Sequence, residues 1–169
     1  MEQERQTERP SRSDIRGSIS PHNPGLDSPS SGDSPALRER YESALGAKMG
    51  MDLISATADE TIIRMPVEGN TQILGILHGG ATAALCESAG SIAATRHAWK
   101  VGEESGTELV AVGTDLTMAH VRSIRSGTVT AVAKAVHLGR RTTVHEVTVT
   151  DQDGRVISTC LARNMIIEP

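Results

Sequence analysis

The 169-residue chain has almost no aromatic side chains: no phenylalanine, one tyrosine (Tyr41) and one tryptophan (Trp99). Its core must therefore be built from Val, Ile, Leu, Met and Ala, and a binding pocket cannot rest on aromatic stacking. Cysteine is scarce as well. Cys86 and Cys160 form no Cys-x-x-Cys and no metal-ligand spacing, and both lie in apolar runs, so they read as reduced core residues. No apolar run is long enough to span a bilayer, and the N-terminal stretch has charges but no signal-peptide-like apolar segment. The expectation is a cytoplasmic protein without membrane contact. Basic charge is not in excess either. The net charge of −4 gives no reason to expect a nucleic-acid partner. There is no Gly-x-Ser-x-Gly nucleophile motif and no dinucleotide or phosphate-loop glycine pattern. His22, His97, His120, His137 and His145 show no ligand spacing, so no metal is expected.

What is present suggests a tail and one domain. Residues 1–34 are rich in Ser, Pro, Gly, Arg and Glu, and this composition cannot offset its ordering entropy, so a disordered tail is expected. The domain is placed at residues 35–169. Ser34 and Pro35 suit the start of a short helix from Ala36 to about Leu45. Strand patterns follow at Met51 to Ala58 and Glu60 to Val67, with a turn at Ala58-Asp59-Glu60. Four more strands are expected at Leu109 to Val121, Gly127 to Leu138, Thr142 to Thr150 and Arg155 to Ile167, the last two joined through an Asp153-Gly154 turn. Hairpin-like links imply an antiparallel sheet. Between the two groups lies one long helix, from Gly79 to about Ala98, followed by a polar connection from Lys100 to Thr107. One long helix with about six strands is an α+β pattern, a sheet wrapped around a helix.

That helix carries the chemistry. Ala81, Ala83, Ala84, Leu85, Ala89, Ile92, Ala93 and Ala94 leave almost no polar face, which implies burial nearly all round. Glu87 stands alone among them, and a carboxylate in such a place costs several kcal/mol unless paired or used. His78-Gly79-Gly80 precedes it, with backbone N–H groups at a helix N-terminus where negative charge is favoured. Donors for an oxyanion followed by a buried carboxylate make a catalytic arrangement. Glu87 then acts as a base on water or as a nucleophile, and the sequence leaves both routes open. Ser91, four residues on, shares its face.

Gln72, Gly75, His78-Gly79-Gly80 and Glu87, with the strand order behind them, resemble the hotdog-fold acyl-CoA thioesterases over roughly Ala44 to Ile167. The pattern is most like the 4-hydroxybenzoyl-CoA thioesterase type, in the group that includes phenylacetic-acid-degradation thioesterases. The resemblance implies a hotdog fold and hydrolysis of an acyl-CoA, with coenzyme A part of the substrate and no separate cofactor. It implies that the Gly79 N–H and Gln72 polarise the thioester carbonyl, that His78 positions, and that Ser91 holds the water or Glu87. It further implies a homodimer with joined sheets, often doubled to a tetramer, and active sites at the dimer interface. Arg140, Arg141 and Thr142 lie in the turn that meets coenzyme A in such enzymes. That turn often has Ser or Thr, so the paired arginines are a partial departure, though guanidinium suits phosphate. Arg122 and Arg125 are further candidates, with Arg122-Ser123 replacing the usual Arg-Pro. Two other readings are a non-catalytic acyl-CoA-binding hotdog module and a 3-hydroxyacyl-thioester dehydratase, whose base is more usually a His with an Asp partner.

Overall fold

A computed structural model of the chain describes Tyr41 and residues 43–169. The expected tail at 1–34, the domain start at 35, Ser34, Pro35 and residues 36–40 of the first expected helix lie outside the described residues. Tyr41, within the span of that expected helix, is helical, and after the non-helical Ser43 a separate short helix follows, α1 (Ala44–Met49). The Ser43 side chain caps it by accepting from the Gly46 N–H, and Gly50 closes it with φ 66°.

The strands are β1 (Asp52–Ala56), β2 (Glu60–Pro66), β3 (Val110–His120), β4 (Thr128–Leu138), β5 (Thr142–Asp151) and β6 (Val156–Ile167). They form one sheet in the order β1-β2-β4-β5-β6-β3, with every pairing antiparallel. The first turn lies one residue earlier than expected, at residues 57–59. There the Thr57 hydroxyl both donates to the Glu60 carbonyl and accepts from the Glu60 N–H. The Asp-Gly turn forms as expected: the Asp151 carboxylate accepts from the Asp153 and Arg155 N–H groups, and Gly154 adopts φ 78°.

Alternation decides which face is covered. In β5, Thr143, His145, Val147 and Val149 point inward, and in β4 Val129, Ala131 and Ala133 do so. The central helix, α2 (Gly79–Ser105), lies against that face. It approaches closely because its inner residues are small: a Cβ on Gly90 would sit 2.6 Å from the Ala162 Cβ. α2 is seven residues longer than expected, since Lys100 to Ser105 continue the helix instead of forming a connection. Gly102, inside the stretch expected as a connection, is a packing residue whose Cβ would lie 2.5 Å from the Thr107 carbonyl oxygen. The stop is Gly106, at φ 69°. Burial nearly all round is also corrected. Thr82, Leu85, Cys86, Ala89, Gly90, Ala93 and Ala98 are buried, while Ala83, Ala84, Glu87, Ser88, Ser91 and Ile92 are only half-buried in the single chain. Among the described residues no helix is long and apolar enough to cross a membrane.

Cys86 on α2 and Cys160 on β6 are both buried and unoxidised. Its own S–H donating to the Cys160 sulfur, together with burial, pushes the Cys86 thiol far up, so Cys86 is neutral packing despite its place beside Glu87.

One buried group makes stability depend on pH. The His145 ring is fully buried, and its Nε2–H donates to the Ala58 carbonyl at 2.9 Å. Nδ1 has no partner among the described residues, so a second proton would create a buried charge with an unmet donor. Burial lowers its pKa from the ordinary 6.5, against a smaller opposing effect of the Ala58 carbonyl. The unfolded chain takes up this proton as pH falls through about 6.5, and the folded chain does so only at lower pH. Stability is therefore full above that value and should fall below it by up to about 1.4 kcal/mol per pH unit. Urea unfolding of the wild type and His145→Gln at pH 7.5, 6.5 and 5.5 checks this. The two curves of stability against pH should diverge on the acid side, and parallel curves would refute it.

Candidate active site

His78 sets the start of α2. Its backbone is extended and its Nδ1 accepts from the Gly80 N–H at 2.8 Å, which makes it the N-cap. Gly79 is the first helical residue, so its N–H has no acceptor within the helix. The loop before it is held by the Gln72 N–H to the Ile76 carbonyl (2.8 Å) and by Arg125 Nη1 to the Leu74 carbonyl (2.9 Å). The effect is a cleft of about 370 Å³ in which Gln72, Gly79, Thr82, His120 and Arg122 meet.

His120, which has no partner of matching spacing in the sequence, enters the cleft as well. It arrives from the end of β3, with Nδ1 2.9 Å from the Ser158 hydroxyl. Its Nε2 would lie 2.9 Å from a Cβ on Gly79, so glycine is needed there to let the ring approach the helix start. No local signal marks this meeting of residues 79 and 120.

Glu87 lies two turns further along α2, half-buried. Ser91 Oγ donates to its Oε1 at 3.0 Å, which is the shared helical face expected from the spacing. The carboxylate rests against the backbone of Gly113 on β3, occupying the space where a Cβ would project. Gly113 sits at a bulge, where the pairing of β3 with β6 slips between Gly113 and Asp115. Asn164 Nδ2 donates to Ser91 Oγ at 3.0 Å, and no local sequence signal marks either Gly113 or Asn164 as part of the site. Beside Ser91 a second cleft, of about 450 Å³, opens between α1, β1 and α2, lined by Tyr41, Met51, Leu53, Ser88 and Ile92 among others. Tyr41, in the wall of this cleft, stacks on Trp99 with ring centres 5.8 Å apart.

The structure thus gathers the predicted residues in three places. Gln72, His78, Gly79 and Arg122 stand at the start of α2, and Glu87 with Ser91 at its middle. Arg140, Arg141 and Thr142 are exposed in the β4–β5 turn, where the His97 ring donates from Nε2 to the Gly139 carbonyl at 3.1 Å. That turn is beside the later half of α2. Among the described residues no group of His, Cys, Asp and Glu could hold a metal ion.

Comparison with known proteins bears on this geometry. The family model described as "Thioesterase superfamily" matches residues 74–158. The proofreading thioesterase EntH of Klebsiella pneumoniae is 37% identical over 126 residues, which is 74% of this chain and 87% of that one. The structure of thioesterase HI1161 from Haemophilus influenzae superposes with a TM-score of 0.68 at 27% identity, covering 78% of this chain and 88% of the other. A mutant of thioesterase PA1618 from Pseudomonas aeruginosa gives a TM-score of 0.70 at 28% identity, covering 82% and 96%. The long helix against a six-stranded antiparallel sheet is the hotdog fold of these proteins.

Proposed function

The chain belongs to the thioesterase superfamily, and from that premise we propose that it hydrolyses an acyl-CoA to a carboxylic acid and free coenzyme A. The observation that carries this reading is the Glu87 carboxylate, fixed by Ser91 against Gly113 on the half-exposed face of a helix that begins at Gly79. The thioester oxygen accepts from the Gly79 N–H and the Gln72 amide, which take up charge as the carbonyl becomes tetrahedral. Glu87 either removes a proton from the water that attacks the thioester carbon, or itself attacks that carbon to form an anhydride that water then opens; on both routes the C–S bond breaks and the coenzyme A thiolate leaves and takes up a proton. His78 keeps the helix start in place. Arg122, in the same cleft as Gln72 and Gly79, puts a guanidinium where a phosphate can pair with it, and the exposed Arg140 and Arg141 offer two more with Thr142. We place the reaction in the cytoplasm.

The site belongs to a dimer in this reading. Gly79 and Glu87 are eight residues apart, roughly 12 Å along the helix at 1.5 Å per residue, whereas donor and attacking group must both lie about 3 Å from one carbon. Two antiparallel copies of α2 across a two-fold axis bring the start of one helix to the middle of the other. The open face of α2 and the exposed edge strand β3 offer the surfaces to join. Pairing of such dimers into a tetramer extends the same proposal. Full activity in a chain that sediments only as a monomer would refute the shared site.

The test of function is release of free thiol by the purified chain from a panel of aryl- and alkyl-CoA thioesters. Turnover on at least one class is expected. Binding without thiol release would replace hydrolysis with the acyl-CoA-binding module, and loss of water from a 3-hydroxyacyl-CoA would replace it with the dehydratase.

A further inference from the structure

α2 carries five hydroxyl side chains: Thr82, Ser88, Ser91, Thr95 and Ser105. Four of them donate to the carbonyl one turn back, at His78, Ala84, Ser91 and Val101, the usual resting place of a hydroxyl inside a helix. Ser91 differs, since its hydroxyl donates to Glu87 Oε1. The residue that distinguishes it is Asn164 of β6, whose Nδ2 donates to Ser91 Oγ at 3.0 Å. An amide nitrogen donates only, so it takes a lone pair of the serine oxygen and leaves the single hydroxyl proton for another acceptor. With the amide turned round, Oδ1 would compete for that proton, and Oε1 would face a serine oxygen with nothing between.

The second observation is a cost. Asn164 is 1% exposed, and its Oδ1 has no hydrogen-bond partner among the described residues. A buried carbonyl oxygen left unpaired destabilises the fold. Every other inward residue of β6 from Cys160 to Ile166 is apolar. An apolar residue at 164 would avoid that cost, so stability alone does not account for the asparagine. Its register does fit a task at the site. It pairs across the sheet with Gly113, the residue on which the Glu87 carboxylate rests.

We propose that Asn164 is a positioning residue for the reaction: it commits the Ser91 proton to Glu87 Oε1, fixes the carboxylate against Gly113, and leaves Oε2 as the oxygen that meets water or the thioester carbon. This rests on the reading of Glu87 as the reacting group. It names a residue that touches neither substrate nor water and acts through Ser91.

The test is a double-mutant cycle in the full chain with Asn164→Leu and Ser91→Ala. Asn164→Leu should lower kcat about tenfold, the scale of losing one hydrogen bond that orders a charged group. KM should stay within about twofold, and the melting temperature should hold or rise because the unpaired Oδ1 is gone. In the Ser91→Ala chain the same substitution should change kcat by less than about twofold, since its effect has no other route. Asn164→Thr, a strand-forming residue too short to reach Ser91, should repeat the result if Leu disturbs packing. Unchanged kcat in either folded variant would overturn the proposal. So would a tenfold loss that persists in the Ser91→Ala chain, or one that tracks a falling melting temperature. Should Glu87→Gln itself retain wild-type turnover, the fault would lie in the choice of reacting group, and the two failures are told apart.

Discussion

Glu87→Gln is expected to lower kcat by at least ~10²-fold, as loss of a base or nucleophile typically does, with little change in stability or KM. The amide has the shape of the carboxylate and can still accept from the Ser91 hydroxyl, so the contact at 3.0 Å survives. It cannot take a proton from water or attack a thioester carbon at a useful rate. Because Glu87 is half-buried and flanked by small residues, its replacement leaves no cavity. The expected signature is therefore binding without turnover: acyl-CoA should still protect the variant against thermal unfolding while thiol release nearly stops. Comparable turnover in the two proteins would remove Glu87 from the chemistry.

Gly113→Ala should be nearly as damaging without touching a reacting group. Gly113 has no left-handed backbone angle, so alanine is allowed there conformationally, and the three atoms nearest its projected Cβ all belong to the Glu87 carboxyl group. The methyl group and Oε1 cannot share that space. The flexible end of the glutamate gives way, the fold stays, and the carboxylate leaves its place beside Ser91. A displacement of about 1 Å in a reacting group can cost ~10² in rate, and a loss of that order in kcat is expected with the melting temperature little changed. In a Glu87→Ala chain the same substitution should have no further effect. Wild-type activity in Gly113→Ala would show that Glu87 does not react from the position it occupies in this structure.

Much of this site could be read along the chain because its parts are close in sequence. The cap at His78, the helix start at Gly79, the lone carboxylate at Glu87 and the hydroxyl one turn later are set by local hydrogen bonding and by the 3.6-residue period. The inward sets of β4 and β5 follow from the two-residue period, and the Asp-Gly hairpin from turn chemistry. Gly102 and Gly106 mark the limit. The same residue type sits four positions apart, once as a packing residue inside the helix and once as its stop. The Thr107 carbonyl and Leu109 crowd the first, whereas the second has open space and φ 69°.

The sequence by itself therefore determined the α+β pattern, the hotdog resemblance and the order of donor and carboxylate along one helix. Tertiary structure alone decided the rest. It laid β6 and, at the sheet edge beside it, β3 against α2, so that β3 brought Gly113 beneath Glu87 and His120 against Gly79, and β6 brought Asn164 onto Ser91. These partners are separated by 26, 41 and 73 residues (113 − 87, 120 − 79, 164 − 91). Local periodicity fixes which face a side chain takes. Which strand lies beside which, and in what register, is a property of the whole sheet closing around α2.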